Sequence, residues 1–213
     1  NAVIEADLEK TKIPILSEEG ADIPYSERKE WEYYWLVDPL DGTKEFVKRN
    51  GEFTINIALI HKGSPIMGVI YVPVKEELYF GLEGLGSYKL SINDEIEGLD
   101  ELISKSNKLP MNIARDNYVM VGSRSHMSKE TEAFFEKKKH EHGEVEVMAV
   151  GSSLKFCMVA EGKADAYPRY APTMEWDTGA GHAITKYAGF SVKQYNSSDD
   201  VIYNKEDLLN PWF

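Results

Sequence analysis

Trp35-Leu36-Val37-Asp38-Pro39-Leu40-Asp41-Gly42-Thr43 sets two carboxylates three residues apart at the end of an aromatic, apolar run. Residues 33–38 read as a buried strand that Pro39 stops. Pro39 fixes its own φ and pushes Asp38 toward an extended conformation. Asp38, the Leu40 carbonyl and Asp41 can then converge on one cation. An oxygen-only donor set selects Mg2+, Ca2+ or Mn2+ over zinc. The Gly42-Thr43 pair that follows offers backbone amides to an anion. An isolated Asp-Gly is usually a solvated turn. Here a buried strand feeds two acids spaced around Pro and Gly-Thr, and the reading that prevails is a magnesium-dependent site for a phosphate.

Outward from this turn, residues 53–61 and 65–73 are β-rich runs joined by Lys62-Gly63-Ser64, a hairpin signal. Residues 77–88, with Gly81, Gly84 and Gly86, predict a further hairpin, so this half is expected to be antiparallel. The polar, weakly patterned residues 91–109 are expected to be a connector. The second half alternates differently, with strands predicted over 118–122, 144–150 and 166–170. Ser128 caps a helix that carries Glu130 and Glu132 early, Lys137, Lys138 and Lys139 late, and Gly143 after it, an order that suits the helix dipole. Gly151-Ser152-Ser153 opens a second helix that runs to about Ala160 and stops at Gly162. Residues 176–188 predict a close-packing helix rich in Ala and Gly. This alternation implies a layered α/β lobe.

Of the 213 residues, 42% are hydrophobic and 28% charged, the ordinary balance of a globular protein, and the length suits one large domain or two small packed lobes. Cys157 is the only cysteine. No internal disulfide can form, and a reducing compartment is expected, with Cys157 itself in the core. The longest apolar stretches, 55–60 and 67–74, are strand-length and far short of a membrane span. No signal peptide is visible, although the chain opens at Asn1. The expected place is the cytoplasm, with a peripheral position at the inner face of the membrane as a second option. A net charge of −12 argues against polymeric nucleic acid as a partner but leaves room for a small anion.

Other stretches are weaker alone. Glu18 and Glu19 close a short apolar run, Asp177 in Glu175-Trp176-Asp177 reads as an N-cap, and Asp7 in Glu5-Ala6-Asp7 as a helix-start acid. The Ser152-Ser153 helix start with Lys155 can receive a phosphate through amides and one charge, although Lys155 is equally a snorkelling surface lysine. His182 is assigned to packing. Ser125 and His126 are adjacent and cannot form a nucleophilic pair, which removes a serine-hydrolase reading.

Residues 35–43 followed by Lys44-Glu45-Phe46, and Trp176-Asp177 followed by Thr178-Gly179-Ala180-Gly181-His182, resemble the two signatures of inositol-monophosphatase-like, lithium-sensitive phosphatases. The Lys-Glu-Phe extension narrows the resemblance, as do Gly122-Ser123-Arg124-Ser125-His126, Gly151-Ser152-Ser153-Leu154-Lys155-Phe156, Tyr203-Asn204-Lys205 and Asn210-Pro211-Trp212-Phe213. They point to the 3′(2′),5′-bisphosphate nucleotidase branch. The resemblance covers most of the chain.

It implies a layered αβαβα sandwich of the inositol monophosphatase and fructose-bisphosphatase type. A metal-binding, mostly antiparallel lobe would span residues 1–112, and an α/β lobe with the nucleotide-side pocket residues 113–213. It implies hydrolysis of the 3′-phosphate of adenosine 3′,5′-bisphosphate to AMP by metal-activated water, clearing a by-product of sulfate activation. Mg2+ would bind as two or three ions, Mn2+ could substitute, and Li+ and Ca2+ would inhibit. Glu18, Asp38, the Leu40 carbonyl, Asp41 and Asp177 would be metal ligands. Thr43 would pair with Asp7 to orient and deprotonate the attacking water, assisted by Glu18. Asp41, Gly42, Thr43, His126, Ser152, Lys155, Arg169 and Asp177 would line the substrate pocket, with His126 and Arg169 able to stack on the purine. A homodimer is compatible with it. The rival readings are an inositol phosphate phosphatase on the same scaffold and a catalytically silent nucleotide- or metal-binding sensor. One departure stands out. Such proteins usually carry a helix between the positions of Asp7 and Glu18, whereas ten residues separate them here, and Ile4 stands where Thr is common. That helix and the N-terminal helices are therefore expected to be missing from this sequence.

Overall fold

The computed structural model describes residues 2–93, 95–122 and 128–213. In chain order its elements are α1 (Ala2–Glu9), β1 (Ile15–Ser17), α2 (Tyr25–Arg28), β2 (Tyr33–Asp41), α3 (Thr43–Lys48), β3 (Thr54–His61), β4 (Ser64–Val72), β5 (Glu77–Leu82) and β6 (Gly86–Ser91). There follow α4 (Gly98–Lys105), β7 (Asn107–Leu109), β8 (Tyr118–Gly122), α5 (Lys129–His142), β9 (Val145–Ala149), α6 (Leu154–Glu161) and α7 (Glu175–Tyr187).

β1 to β7 form one sheet in sequence order. β1 runs parallel to β2, and every later neighbour is antiparallel. The β3–β4 hairpin turns on Lys62 and Gly63, both at positive φ, the two-residue geometry that matches strand twist. β3 alternates buried and half-exposed residues, so Thr54, Asn56, Ala58 and Ile60 share the inner face. α7 lies across β2 to β6 on that face. Its backbone comes so close that a Cβ at Gly68 would strike the Ala180 carbonyl, and one at Gly181 would strike the Phe156 ring of α6. All eight residues of α6 are buried. β8 and β9 pair in parallel, with α5 as the crossover between them. Ser128 caps α5, its Oγ accepting from Thr131 N–H at 3.2 Å.

Three expectations need correction. Pro39 does not end β2; the strand continues to Asp41, with a register shift between Asp38 and Asp41 that absorbs the missing N–H. Residues 91–109 are more than a connector, since α4 and the three-residue edge strand β7 lie within them. Residues 166–170 form no strand, only an isolated bridge from Ala166 to Met120. Pro168 has no N–H to donate, and Arg169 instead exchanges backbone hydrogen bonds with Phe213. Among the described residues no helix is long and apolar enough to cross a membrane.

Candidate active site

Asp38 and Asp41 flank the irregularity in β2, and Asp177 is the third residue of α7. The packing of α7 on the sheet brings the three together. One carboxylate oxygen from each lies within 4.8 Å of the others. Each acid also has an oxygen fixed on a main-chain N–H. Leu40 donates to Asp38 Oδ1 at 2.9 Å, Ser153 to Asp41 Oδ2 at 2.5 Å and Met174 to Asp177 Oδ2 at 2.8 Å. Asp38 is wholly buried, and its Oδ2 has no hydrogen-bond partner among the described residues.

The electrostatics follow from that crowding. Burial, then the charges of Asp41 and Glu18, push the Asp38 carboxyl up to about 9. Burial and Asp41 push Asp177 up to about 7. Burial also raises Asp41, while Lys155, the Ser153 amide and Asn56 pull it back. Buried acids this close demand protons or a cation. An all-oxygen donor set with an unpartnered buried carboxylate oxygen fits a hard divalent cation.

The other predicted residues lie around this group. Glu18 is exposed just after β1; its N–H is held by the Val37 carbonyl at 3.1 Å, and its charge is felt by all three aspartates. Gly42, at φ 89°, caps the six-residue α3, which Thr43 opens with an exposed side chain. Asp7 lies elsewhere in character. It is exposed on α1, ion-paired with Lys10 at 2.5 Å and outside the three-carboxylate group. No residue of α1 is buried, and only Ile4, Glu5 and Leu8 are half-buried. His126 lies outside the described residues.

A cavity of about 490 Å3 adjoins the acids, with Asp41, Gly42, Ser152, Lys155, Arg169 and Asp177 among its walls. Lys155 is no snorkelling lysine. It is buried, its Nζ donates to the carbonyls of Ser152 at 2.6 Å and Val150 at 3.3 Å, and it sits 5.5 Å from the centre of the Tyr167 ring. Burial lowers its pKa to about 8, against the pull of Asp41. Arg169 donates to the Pro172 carbonyl, and its buried Nε has no partner among the described residues. Two amides of the loop before α6 are already occupied by carboxylates: Ser153 N–H by Asp41, and Gly151 N–H by Glu52 Oε2 at 2.9 Å.

Sequence reasoning missed Glu52, Thr54 and Asn56 beside these acids, and the wholly buried Glu175 next to Asp177, and it read Ser153 only as part of a phosphate-receiving helix start. Glu175 accepts from the N–H groups of Asn204 and Lys205 and from Lys205 Nζ, which ties the start of α7 to the chain end. The available signal was Thr54 and Asn56 at core positions of an alternating strand, where polar side chains require partners.

The model of the inositol monophosphatase family matches residues 2–211. The chain is 45% identical over 203 residues to the 3′(2′),5′-bisphosphate nucleotidase CysQ of Salmonella typhimurium, covering 94% of this chain and 74% of that one. It is 44% identical over 203 residues to the protein of the same name from Escherichia coli K12, with the same coverage. Among solved structures, CysQ from Bacteroides thetaiotaomicron, described as a bacterial member of the inositol monophosphatase family, superposes with a TM-score of 0.93 at 56% identity, covering 97% of this chain and 78% of that one. Mycobacterium tuberculosis SuhB, at 23% identity and a TM-score of 0.66 over 99% of this chain and 75% of its own, shares the fold. With its mixed α/β architecture and nearly its whole length matched, this chain belongs to the inositol monophosphatase family.

Proposed function

We propose that this chain is a Mg2+-dependent phosphomonoesterase that removes the 3′-phosphate of adenosine 3′,5′-bisphosphate, giving AMP and inorganic phosphate. The observation that carries the reading is the convergence of Asp38, Asp41 and Asp177 beside a cavity that also holds Lys155 and Arg169. The nucleotidases among its relatives support the choice of substrate.

Asp38, the Leu40 carbonyl, Asp41, Asp177 and Glu18 would hold the cations. Bound there, divalent ions polarise phosphoryl oxygens, neutralise developing charge and supply a water acidic enough to attack at neutral pH. The protein's own part is positioning and exclusion of alternatives. The Gly42 and Thr43 amides would orient the phosphate undergoing attack. Asp7, on leaving Lys10, would pair with Thr43 Oγ1 to orient and deprotonate the attacking water, with Glu18 assisting. Lys155 and Arg169 would face the phosphate that is retained, with the Arg169 guanidinium and the Tyr167 ring offering flat surfaces to the base.

The family match also favours a second reading, an inositol phosphate phosphatase on the same scaffold. Phosphate release from adenosine 3′,5′-bisphosphate, inositol monophosphate and inositol bisphosphate, each with and without Mg2+, separates the two. Preferential release from the nucleotide, lost in EDTA, is expected; preference for inositol monophosphate would replace the first reading with the second. Binding without release from any of the three would make the protein a sensor.

A further inference from the structure

The two acids of β2 face two polar residues across the sheet. Asp38 pairs in register with Asn56, and Asp41 with Thr54. Both partners are wholly buried, where an apolar strand would place aliphatic side chains. Neither Thr54 nor Asn56 lies among the residues that wall the adjoining cavity. What they meet is Ser153, itself 2% exposed and contributed by the distant loop before α6.

The hydrogen inventory orders this group. Ser153 Oγ lies 2.6 Å from Asn56 Oδ1 and 2.7 Å from Thr54 Oγ1. A carbonyl oxygen only accepts, so the single Ser153 hydroxyl hydrogen goes to Asn56. Thr54 must then donate to Ser153 Oγ, and its one hydrogen is no longer free for Asp41 Oδ2 at 3.5 Å. Asp41 Oδ2 is left to the Ser153 main-chain N–H at 2.5 Å. Thr54 and Asn56 thus grip the Ser153 side chain, and Ser153 grips Asp41 through its backbone.

We propose that Ser153 is a positioning residue for Asp41, held in place by Thr54 and Asn56, which fixes how Asp41 presents its carboxylate to a divalent cation. The proposal rests on the metal-dependent reading above. The device joins two segments more than a hundred residues apart in sequence, so the acidic turn and the loop 150–153 settle as one unit. Substitution of residues that orient metal ligands typically weakens metal affinity by about 10- to 100-fold.

The test is Mn2+ binding by titration calorimetry and electron paramagnetic resonance, with melting temperature in EDTA recorded alongside. Ser153→Ala should raise the Mn2+ dissociation constant about tenfold, and lower the EDTA melting temperature, because Asn56 Oδ1 loses its buried donor. Thr54→Val keeps the shape of the side chain and removes only the hydroxyl; it should raise the constant about threefold, and it carries the test if Ser153→Ala does not fold. Unchanged affinity in a folded variant overturns the proposal. So does a loss of affinity shared by a core variant remote from Asp41 with the same EDTA melting temperature, because that marks a purely structural role. Wild-type protein that binds no Mn2+ would bring down the metal-dependent reading and this inference with it. Wild type that binds while Ser153→Ala binds equally well defeats the inference alone.

Discussion

The acids assigned to this site fall into two groups of opposite character. Asp38, Asp41 and Asp177 are drawn inward, each with an oxygen held by a main-chain N–H. Glu18 and Asp7 are exposed, and Asp7 is paired with Lys10. The supporting helices show the same contrast. Nine residues of α7 are buried and none of α1. Charge that must be desolvated is built on packed elements, because only a rigid neighbour can hold like charges together. At ~4 Å and an effective dielectric of about 20, each like pair costs on the order of 4 kcal/mol. Glu18 and Asp7, open to water, need no such support.

The sharpest way to break this contrast is mutational. Asp38→Asn or Asp41→Asn should lower phosphate release by on the order of a thousandfold, as expected where charge stabilisation in the transition state is lost. Asp7→Asn should cost about a hundredfold, near the low end of general-base contributions. Equal losses at Asp38 and Asp7, in the same coupled assay, would erase the distinction between the two groups.

Next in size is an effect of acid on the packed side. Burial lowers the His182 pKa from 6.5 to about 4, and its Nδ1 lies 3.0 Å from the Tyr203 hydroxyl. The folded protein therefore prefers the neutral imidazole. That preference contributes fully above the unfolded pKa and is lost as pH falls from about 6.5 toward 4, a change of roughly 3 kcal/mol. Urea titrations across that range should show a shallower pH dependence for His182→Gln than for wild type. Parallel curves would mean that His182 is solvated.

Cation binding should come close behind. At a hundredfold excess over the dissociation constant, Mg2+ should stabilise the fold by roughly 2.7 kcal/mol. Asp38→Asn should abolish that response and raise the melting temperature in EDTA, since the buried Asp38 carboxyl, pushed up to about 9, must take up a proton for the metal-free chain to fold at neutral pH and Asn need not. Glu18→Gln should leave the EDTA value almost unchanged. Scanning fluorimetry distinguishes them, and a wild-type melting temperature indifferent to Mg2+ would remove the basis for grouping the acids.

The smallest effect belongs to the exposed side. Lys10→Ala breaks an ion pair open to solvent and should change stability by less than about 0.5 kcal/mol. A larger change in chemical denaturation would mean that α1 is anchored through this pair.

What could be read from the chain alone follows the same division. The acidic turn, the β3–β4 hairpin, α5 with its Ser128 cap and the small-residue helix α7 carry strong local signals, and their existence was legible. Pro39 misled because a bulge can carry a strand past proline when the partner register shifts. α4 was missed because its apolar residues, Leu99, Leu102 and Ile103, make too short a stripe to establish a period, and β7 because three residues carry none. Ser153 could not be found from its own segment. Its role comes from Thr54 and Asn56, about a hundred residues earlier, and only the folded sheet brings them together.

The near-contact of α7 with Gly68 and Gly81 has a practical meaning for the site. Helix and sheet are spaced there by bare main chain, as two machined surfaces are set by a thin shim. Trimming larger residues elsewhere in the interior leaves that spacing alone. One methyl group at position 68 would meet the Ala180 carbonyl, so sheet or helix would have to give way on the very element that carries Asp177.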